Sequence, residues 1–559
     1  MKIKFTHTIL FASICLGGMM IGCNDDLLNV TPTDRLSDAS ITADSSLFED
    51  FVINRYMGVK LQDKEAEGTN PGFGRGFEYA LWASLTDESI YNSDDNTWLV
   101  QRGQLAPENT GITGTIWSRS YRSIRECNYA LSKIGEVAMS DNRKKLITAE
   151  IKFIRAFRYH DLIRNYGQII LIGDKVYELG ENFTDPAIFE KSTISEGMQY
   201  ITEQLNQAAA DLPSLNNSAW PLGRATSGAA LALKSRILLY AASPLYNAGT
   251  WQAAADAAQD VMNLNYSLHP DYHALFLTSS SSEIIFERLY VKGARHVCLE
   301  ISNAANGYGG WAGNSPLQNL VDAYEVKVDA NTSVPFDWNN TTHAQAPYEN
   351  RDPRFYASIL YNGAQYRGRE IETFEPGGKD SKDGRDNWNT SKTGYYLYKF
   401  IDTNLPIDNP WDVAGTQPWI YLRYAEAVLN YAEAKNEVSG PDASVYDAIN
   451  LIRSRANMPD LPAGLTQDEM RQRIRNERQV ELAFEEHRFY DVRRWKIAMD
   501  TENEPAYGIS ITKDASNNLT YARKIALDGR LFKEQHYWLP IPRAEIQASG
   551  GILEQSPQY

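Results

Sequence analysis

Cysteine is scarce, cations are outnumbered and histidine is sparse, and each shortage removes a class of function. Four cysteines occur in 559 residues, and two of them, Cys15 and Cys23, sit in an N-terminal leader. Cys127 and Cys298 remain, too few for a disulfide framework, and the sequence leaves open whether they pair. Lysine and arginine number 55 against 71 acidic residues, for a formal net charge of -16. Phosphate binding needs a basic face that releases counterions, so no nucleic-acid partner is expected. There is no basic run to form a polybasic membrane patch. The 8 histidines are scattered singly, which gives no support to Ser-His-Asp or zinc chemistry. Glu485-Glu486-His487 has the wrong order and spacing for a zinc helix, and Gly72, Gly74 and Gly76 lack the spacing of a dinucleotide loop. The sequence calls for no catalytic residue, no metal and no cofactor. Past the leader, no segment is apolar enough to cross a membrane.

What is present begins with that leader. Lys2 and Lys4 form a short positive region, and Ile9 to Met20 is an apolar stretch too short to span a bilayer. Met20-Ile21-Gly22-Cys23 closes it and resembles the lipobox of bacterial lipoproteins, although Met stands where Leu is more usual. The resemblance implies that residues 1–22 are a signal peptide and that Cys23 carries the lipid. Asn24-Asp25-Asp26 resembles the acidic export signal of such lipoproteins. The expected location is the outer membrane, lipid-anchored and facing the cell exterior.

Helical periodicity dominates from Trp117 to Met262. Trp117, Tyr121, Ile124 and Leu131 mark one face. A second helix carries Phe153, Ala156, Phe157 and His160 and stops before Asn165-Tyr166-Gly167. A third runs from Ile194 and ends at Pro213, Thr226 caps a fourth, and Trp251 to Met262 is a fifth. Alanines at the contacts (Ala229, Ala230, Ala254, Ala255, Ala258) let helix axes approach closely, as in tetratricopeptide-like pairs. The pattern returns at Trp419–Glu437 and Tyr446–Ala456. Between 265 and 417 helical period is mostly lost, turn dipeptides are frequent, and Glu283–Tyr290 and Tyr395–Phe400 read as short strands. The expected fold is mainly α: tetratricopeptide-like helix pairs forming a superhelical scaffold, packed against an irregular loop-rich region with a few short strands. The expected parts are an N-terminal helical part over 23–264, the irregular ligand-side region over 265–417, and C-terminal helices with a closing segment over 418–559.

Several segments share one physical character, charge set among apolar residues. They are Arg224-Ala225-Thr226 with Lys234-Ser235-Arg236, then Asn350-Arg351-Asp352-Pro353-Arg354-Phe355, then Arg423-Tyr424-Ala425-Glu426. The densest is Glu477-Arg478, Glu481-Leu482-Ala483-Phe484-Glu485, Arg488-Phe489, Asp491 and Arg493-Arg494-Trp495. On one helix, Arg478 with Glu481 and Glu485 with Arg488 fall at i,i+3, so they are expected to pair locally. The chain closes on Leu539-Pro540-Ile541-Pro542 and Gln555-Ser556-Pro557-Gln558-Tyr559. Together and in this order these segments resemble the SusD/RagB family of surface nutrient-binding lipoproteins over nearly the whole chain.

That resemblance implies capture of a glycan without catalysis and delivery to a SusC-like TonB-dependent outer-membrane transporter. RagB-like members imply peptide or glycopeptide cargo as an alternative, and a surface glycoside hydrolase is the reading from another class. The resemblance places ligand contacts after Thr86-Asp87-Glu88, at Tyr91, Asp94, Asn96, Trp98 and Arg102, and ahead of Val321, at Asn306, Tyr308 and Trp311. The chemistry fits sugars, with rings as stacking platforms and amides, carboxylates and guanidinium groups for hydroxyls. Trp82 and Trp117 are expected in the core.

Overall fold

A computed structural model describes residues 38–57, 77–94, 96–178, 180–214, 220–291, 296, 299–407 and 415–559. Cys23, Gly72, Gly74, Gly76, Asp95 and Cys298 lie outside them.

The helices predicted over 117–262 all form: α1 (Ile116–Lys133), α2 (Asp141–Tyr166), α3 (Ile194–Asp211), α4 (Ser227–Ala242) and α5 (Trp251–Met262). Side-chain oxygens of Ser140, Thr193, Thr226 and Thr250 accept first-turn N–H groups of α2 to α5. Gly167 ends α2 at φ +72, with the Trp538 ring packed where a Cβ would stand. Each helix packs on the next, α1 on α2 through α4 on α5. The alanines predicted at the contacts are buried, which permits the close approach of α4 and α5. After Met262 the chain leaves the stack, and it rejoins with α6 (Tyr424–Ser439), which packs on α5. Then follow α7 (Ala443–Arg455), α8 (Gln467–Glu481) and α9 (His487–Arg494). The scaffold is thus mainly helical and continuous in space, though not in sequence.

Strands are short: β1 (Ser89–Tyr91), β2 (Ile284–Arg288), β3 (Asn314–Pro316), β4 (Trp419–Arg423), β5 (Ala506–Lys513) and β6 (Leu519–Leu527), paired antiparallel as β1–β3, β2–β4 and β5–β6. One expectation fails here. Trp419 to Arg423 does not open the helix predicted at Trp419; all of β4 is buried and hydrogen-bonds β2, and α6 starts at Tyr424. Bulky aromatic and branched residues buried on both faces suit a strand better than a first helical turn. The β5–β6 hairpin was not anticipated.

The charged motif also departs from the local pairing expected of it. Helix α8 ends at Glu481, and Phe484 (φ 66) and Glu486 (φ 69) turn the chain before α9. The charges therefore reach across the fold. Glu481 receives Arg423 at 2.7 Å, Arg354 at 2.9 Å and the Arg455 guanidinium. Arg423 also meets Glu283 and Glu485, each at 2.7 Å, and Lys399 meets Glu485 at 2.6 Å. Arg478 pairs with Asp491 at 2.7 Å, and Arg494 with Glu433 at 2.5 Å. Arg488 grips Asp87 at 2.6 Å, two residues before β1. Every one of these side chains is buried. Burial alone would raise the Glu481 carboxyl, but Arg455, Arg423 and Arg354 outweigh it and hold it below the usual carboxylate range. Burial likewise opposes ionisation of Glu433, and Arg494 brings it down to about 2.

Removing one member leaves the others buried and unpaired, so Glu481→Gln is expected to cost about 3–5 kcal/mol in a urea titration. A loss under about 1 kcal/mol would contradict the network's role. The depressed carboxyls also set a pH window. Their stabilisation is present above the ordinary value of 4.5 and is lost as pH falls from there toward about 2. The melting temperature is expected to drop steeply across that interval. Glu433→Gln should start lower at neutral pH and lose less on acidification, and an unchanged acid slope would count against this assignment.

Candidate ligand-binding site

The β1–β3 ladder brings the two predicted segments together. Tyr91 stands opposite Asn314, and the Asn92 N–H donates to the Gly313 carbonyl at 2.7 Å. Asn314 is buried and forms a post: its Oδ1 accepts from Leu81 N and Ser84 Oγ at 2.9 Å, and its Nδ2 donates to Tyr79 O at 2.8 Å.

Beyond β1 the chain turns through Asp94 (φ 72) and Asn96 (φ 60) into a short helix, Thr97–Gln101. The Asp94 carboxylate accepts the Trp98 N–H at 2.8 Å and fixes the turn. Trp98 folds back so that its indole N–H donates to the Tyr91 carbonyl at 3.0 Å. The ring is half-buried, with the Arg102 guanidinium 5.2 Å and the Lys392 ammonium 5.1 Å from its centre. Arg102 Nε donates to the Asp528 carbonyl at 3.1 Å. Asn96 is exposed at the turn, while Tyr91 is buried beneath it.

In the second segment Gly310 passes so close to the Ala304 carbonyl that a Cβ would collide with it at 2.2 Å. Trp311 emerges half-buried beside Tyr79, ring centres 6.1 Å apart. Tyr308 turns elsewhere: its hydroxyl donates to the Tyr366 carbonyl at 2.6 Å, and Arg369 covers its ring at 4.0 Å. Burial pushes that phenol up to about 12, so it stays a neutral donor. Asn306 is wholly buried. Its Nδ2 donates to the Ser381 and Arg385 carbonyls at 3.1 and 2.7 Å, and its Oδ1 accepts the Tyr396 hydroxyl at 2.9 Å. In this structure Asn306 clamps a third loop and does not reach the surface.

That third loop, which carries residues 380–392, was missed in the sequence. Asn92 holds its far end, donating to the Thr390 carbonyl at 3.1 Å and accepting the Lys392 N–H at 3.0 Å. Between the clamps, Asp386 (φ 50) leads into a single turn, Asn387–Asn389, that lifts Trp388 into solvent. Trp388 is 76% exposed, whereas Trp82 and Trp117 are core residues, as expected, at 1% and 3%. Trp388 is the most exposed large hydrophobic side chain among the described residues, and its flat indole face is open to solvent. The signal was a tryptophan between asparagines in a segment with no period; nothing local reports its exposure.

The three loops, tied to one another through Asn92 and Asn306, carry Trp98, Trp311 and Trp388 on different segments. Their carboxylates have partners within the protein: Asp380 pairs with Arg369 at 2.6 Å and Asp386 with Arg385 at 3.0 Å. Among the described residues no group of His, Cys, Asp or Glu is arranged to hold a metal ion. A cleft of about 430 Å³ opens beside β2, lined by Trp220, Leu222, Arg224, Ser281 and Glu287, but no sequence-predicted site residue borders it. No described helix is long and apolar enough to cross a membrane.

Residues 282–559 match the model of the SusD family, and residues 66–239 match one described as starch-binding, associating with the outer membrane. SusD-like protein P2 of Formosa agariphila is 25% identical over 522 residues, covering 86% of this chain and 90% of that protein. A SusD-like protein of Bacteroides fragilis superposes with a TM-score of 0.77 at 28% identity, covering 95% of this chain and 100% of the other. A second structure from that organism, described as a SusD-like carbohydrate binding protein, gives a TM-score of 0.74 at 25% identity, covering 92% and 99%. Two family models in chain order, the expected helical scaffold and these relatives agree: the chain belongs to the SusD/RagB family.

Proposed function

We propose that this protein is a lipid-anchored lipoprotein on the outer face of the outer membrane that captures a glycan and passes it, unaltered, to a TonB-dependent transporter. The observation that carries the reading is Trp388, a 76% exposed indole raised on a shelf whose three loops are locked to one another. Flat rings stack on the apolar faces of pyranoses, and a fixed platform avoids the ordering cost of a mobile one. Family membership and the carbohydrate-binding relative support the same class of ligand. Hydrolysis would require two carboxyl groups free to face a glycosidic bond. Asp94, Asp380 and Asp386 are instead engaged in holding the shelf. The leader that ends at Cys23 supports lipid anchoring, and family membership supports delivery to a SusC-like barrel.

Calorimetry over a panel of polysaccharides, with reducing-end assays on the same mixtures, tests this. Binding without sugar release is expected. Trp388→Ala should weaken it at least about tenfold, or about 1.4 kcal/mol, with the melting temperature unchanged. Release of reducing ends, or wild-type affinity in W388A, would overturn the assignment.

A further inference from the structure

The cations around Trp98 say more about the ligand than its rings do. Elsewhere in the fold, many buried arginines meet carboxylates, among them Arg354, Arg423, Arg453, Arg478, Arg488 and Arg494, while Arg351 and Arg493 are held by backbone carbonyls within the core. Acidic residues outnumber basic ones 71 to 55, so carboxylates are plentiful. Yet Arg102 and Lys392, which flank the same indole, form no ion pair among the described residues. Arg102 spends its Nε on the Asp528 carbonyl, and Lys392 its ammonium on the Asn92 carbonyl at 2.6 Å. Backbone carbonyls fix where these two charges stand without neutralising them. Partial desolvation there lowers the Lys392 pKa, against the pull of Asp94, the acidic side chain that acts on it. The Asp94 carboxylate is itself engaged at the Trp98 N–H.

Resting on the glycan-capture reading above, we propose that the ligand is an anionic glycan, with its uronate carboxylates or sulfate esters held by the Arg102 and Lys392 cations that flank the Trp98 ring. A neutral sugar gains little from two unneutralised cations. A carboxylate or sulfate accepts charge-assisted hydrogen bonds from both, while the guanidinium fork supplies directional donors that an ammonium lacks. The competing account is that both cations stand there only for their attraction to the indole, worth about 0.5–1 kcal/mol at an exposed site.

The test is calorimetry of the purified full chain with matched polymers: polygalacturonate against its methyl-esterified form for the carboxylate, and dextran sulfate against dextran for the sulfate. In at least one pair the anionic member is expected to bind at least about tenfold tighter, with the advantage shrinking as salt rises from about 0.05 M to about 0.5 M. Arg102→Gln and Lys392→Gln should each reduce that preference, and the double variant should abolish it, with melting temperatures unchanged. Equal binding of both members, or a preference that survives the double variant, overturns the anionic class and leaves glycan capture standing. No binding by either anionic polymer, with a neutral glycan bound in the wider panel, likewise overturns the anionic class and leaves glycan capture standing.

Discussion

The buried carboxylate of Glu481 is the contact on which the rest of the structure depends. A charge removed from water must be met by opposite charge and hydrogen bonds, or folding fails. Here the partners come from three places: Arg455 on α7, Arg423 at the end of β4, and Arg354 from the irregular region. The scaffold cannot close around Glu481 without drawing the long insertion onto it. Breaking such a cluster by removing one member is costly, because the partners stay buried without opposite charge.

The same network reaches the shelf. Arg488 on α9 holds Asp87, and the Phe484 N–H donates to Glu88 at 3.2 Å, so the residues leading into β1 are fastened from the C-terminal motif. Lys399, tied to Glu485 and to the Ala483 carbonyl at 2.7 Å, fastens the chain after the third loop. From these anchors β1 pairs with β3, Asn306 clamps residues 381 and 385, and Asn92 clamps residues 390 and 392. Surface loops carrying function are ordered in this way by elements that themselves touch no ligand.

The helices were legible because their signals are local: a period near 3.6, threonine caps and small residues at contacts. Much of the rest was written in partners far away in sequence. Arg478 and Glu481 sit three apart on α8, yet each takes a partner from another element, while two positive-φ residues break the helix between α8 and Arg488 and send Glu485 and Arg488 to separate partners. Trp419–Arg423 fits a helical period but is consumed by β2. Asn306 has the composition of a sugar ligand and became a buried clamp, because an amide satisfies loop carbonyls as readily as hydroxyls. Trp388 was missed for the converse reason: exposure is a property of the whole fold. The β5–β6 hairpin did leave a trace, since Gly508-Ile509-Ser510-Ile511-Thr512 alternates as a half-buried strand should.

On this reading the glycan shelf is already formed before ligand arrives. A crystal structure with an oligosaccharide bound tests it most directly. A pyranose face is expected against Trp388 at about 4 Å, with the backbone of residues 96–102, 303–314 and 380–392 moved by less than about 1 Å from the structure described above. A sugar seated instead in the cleft beside Trp220, or loops rebuilt around it, would contradict the account.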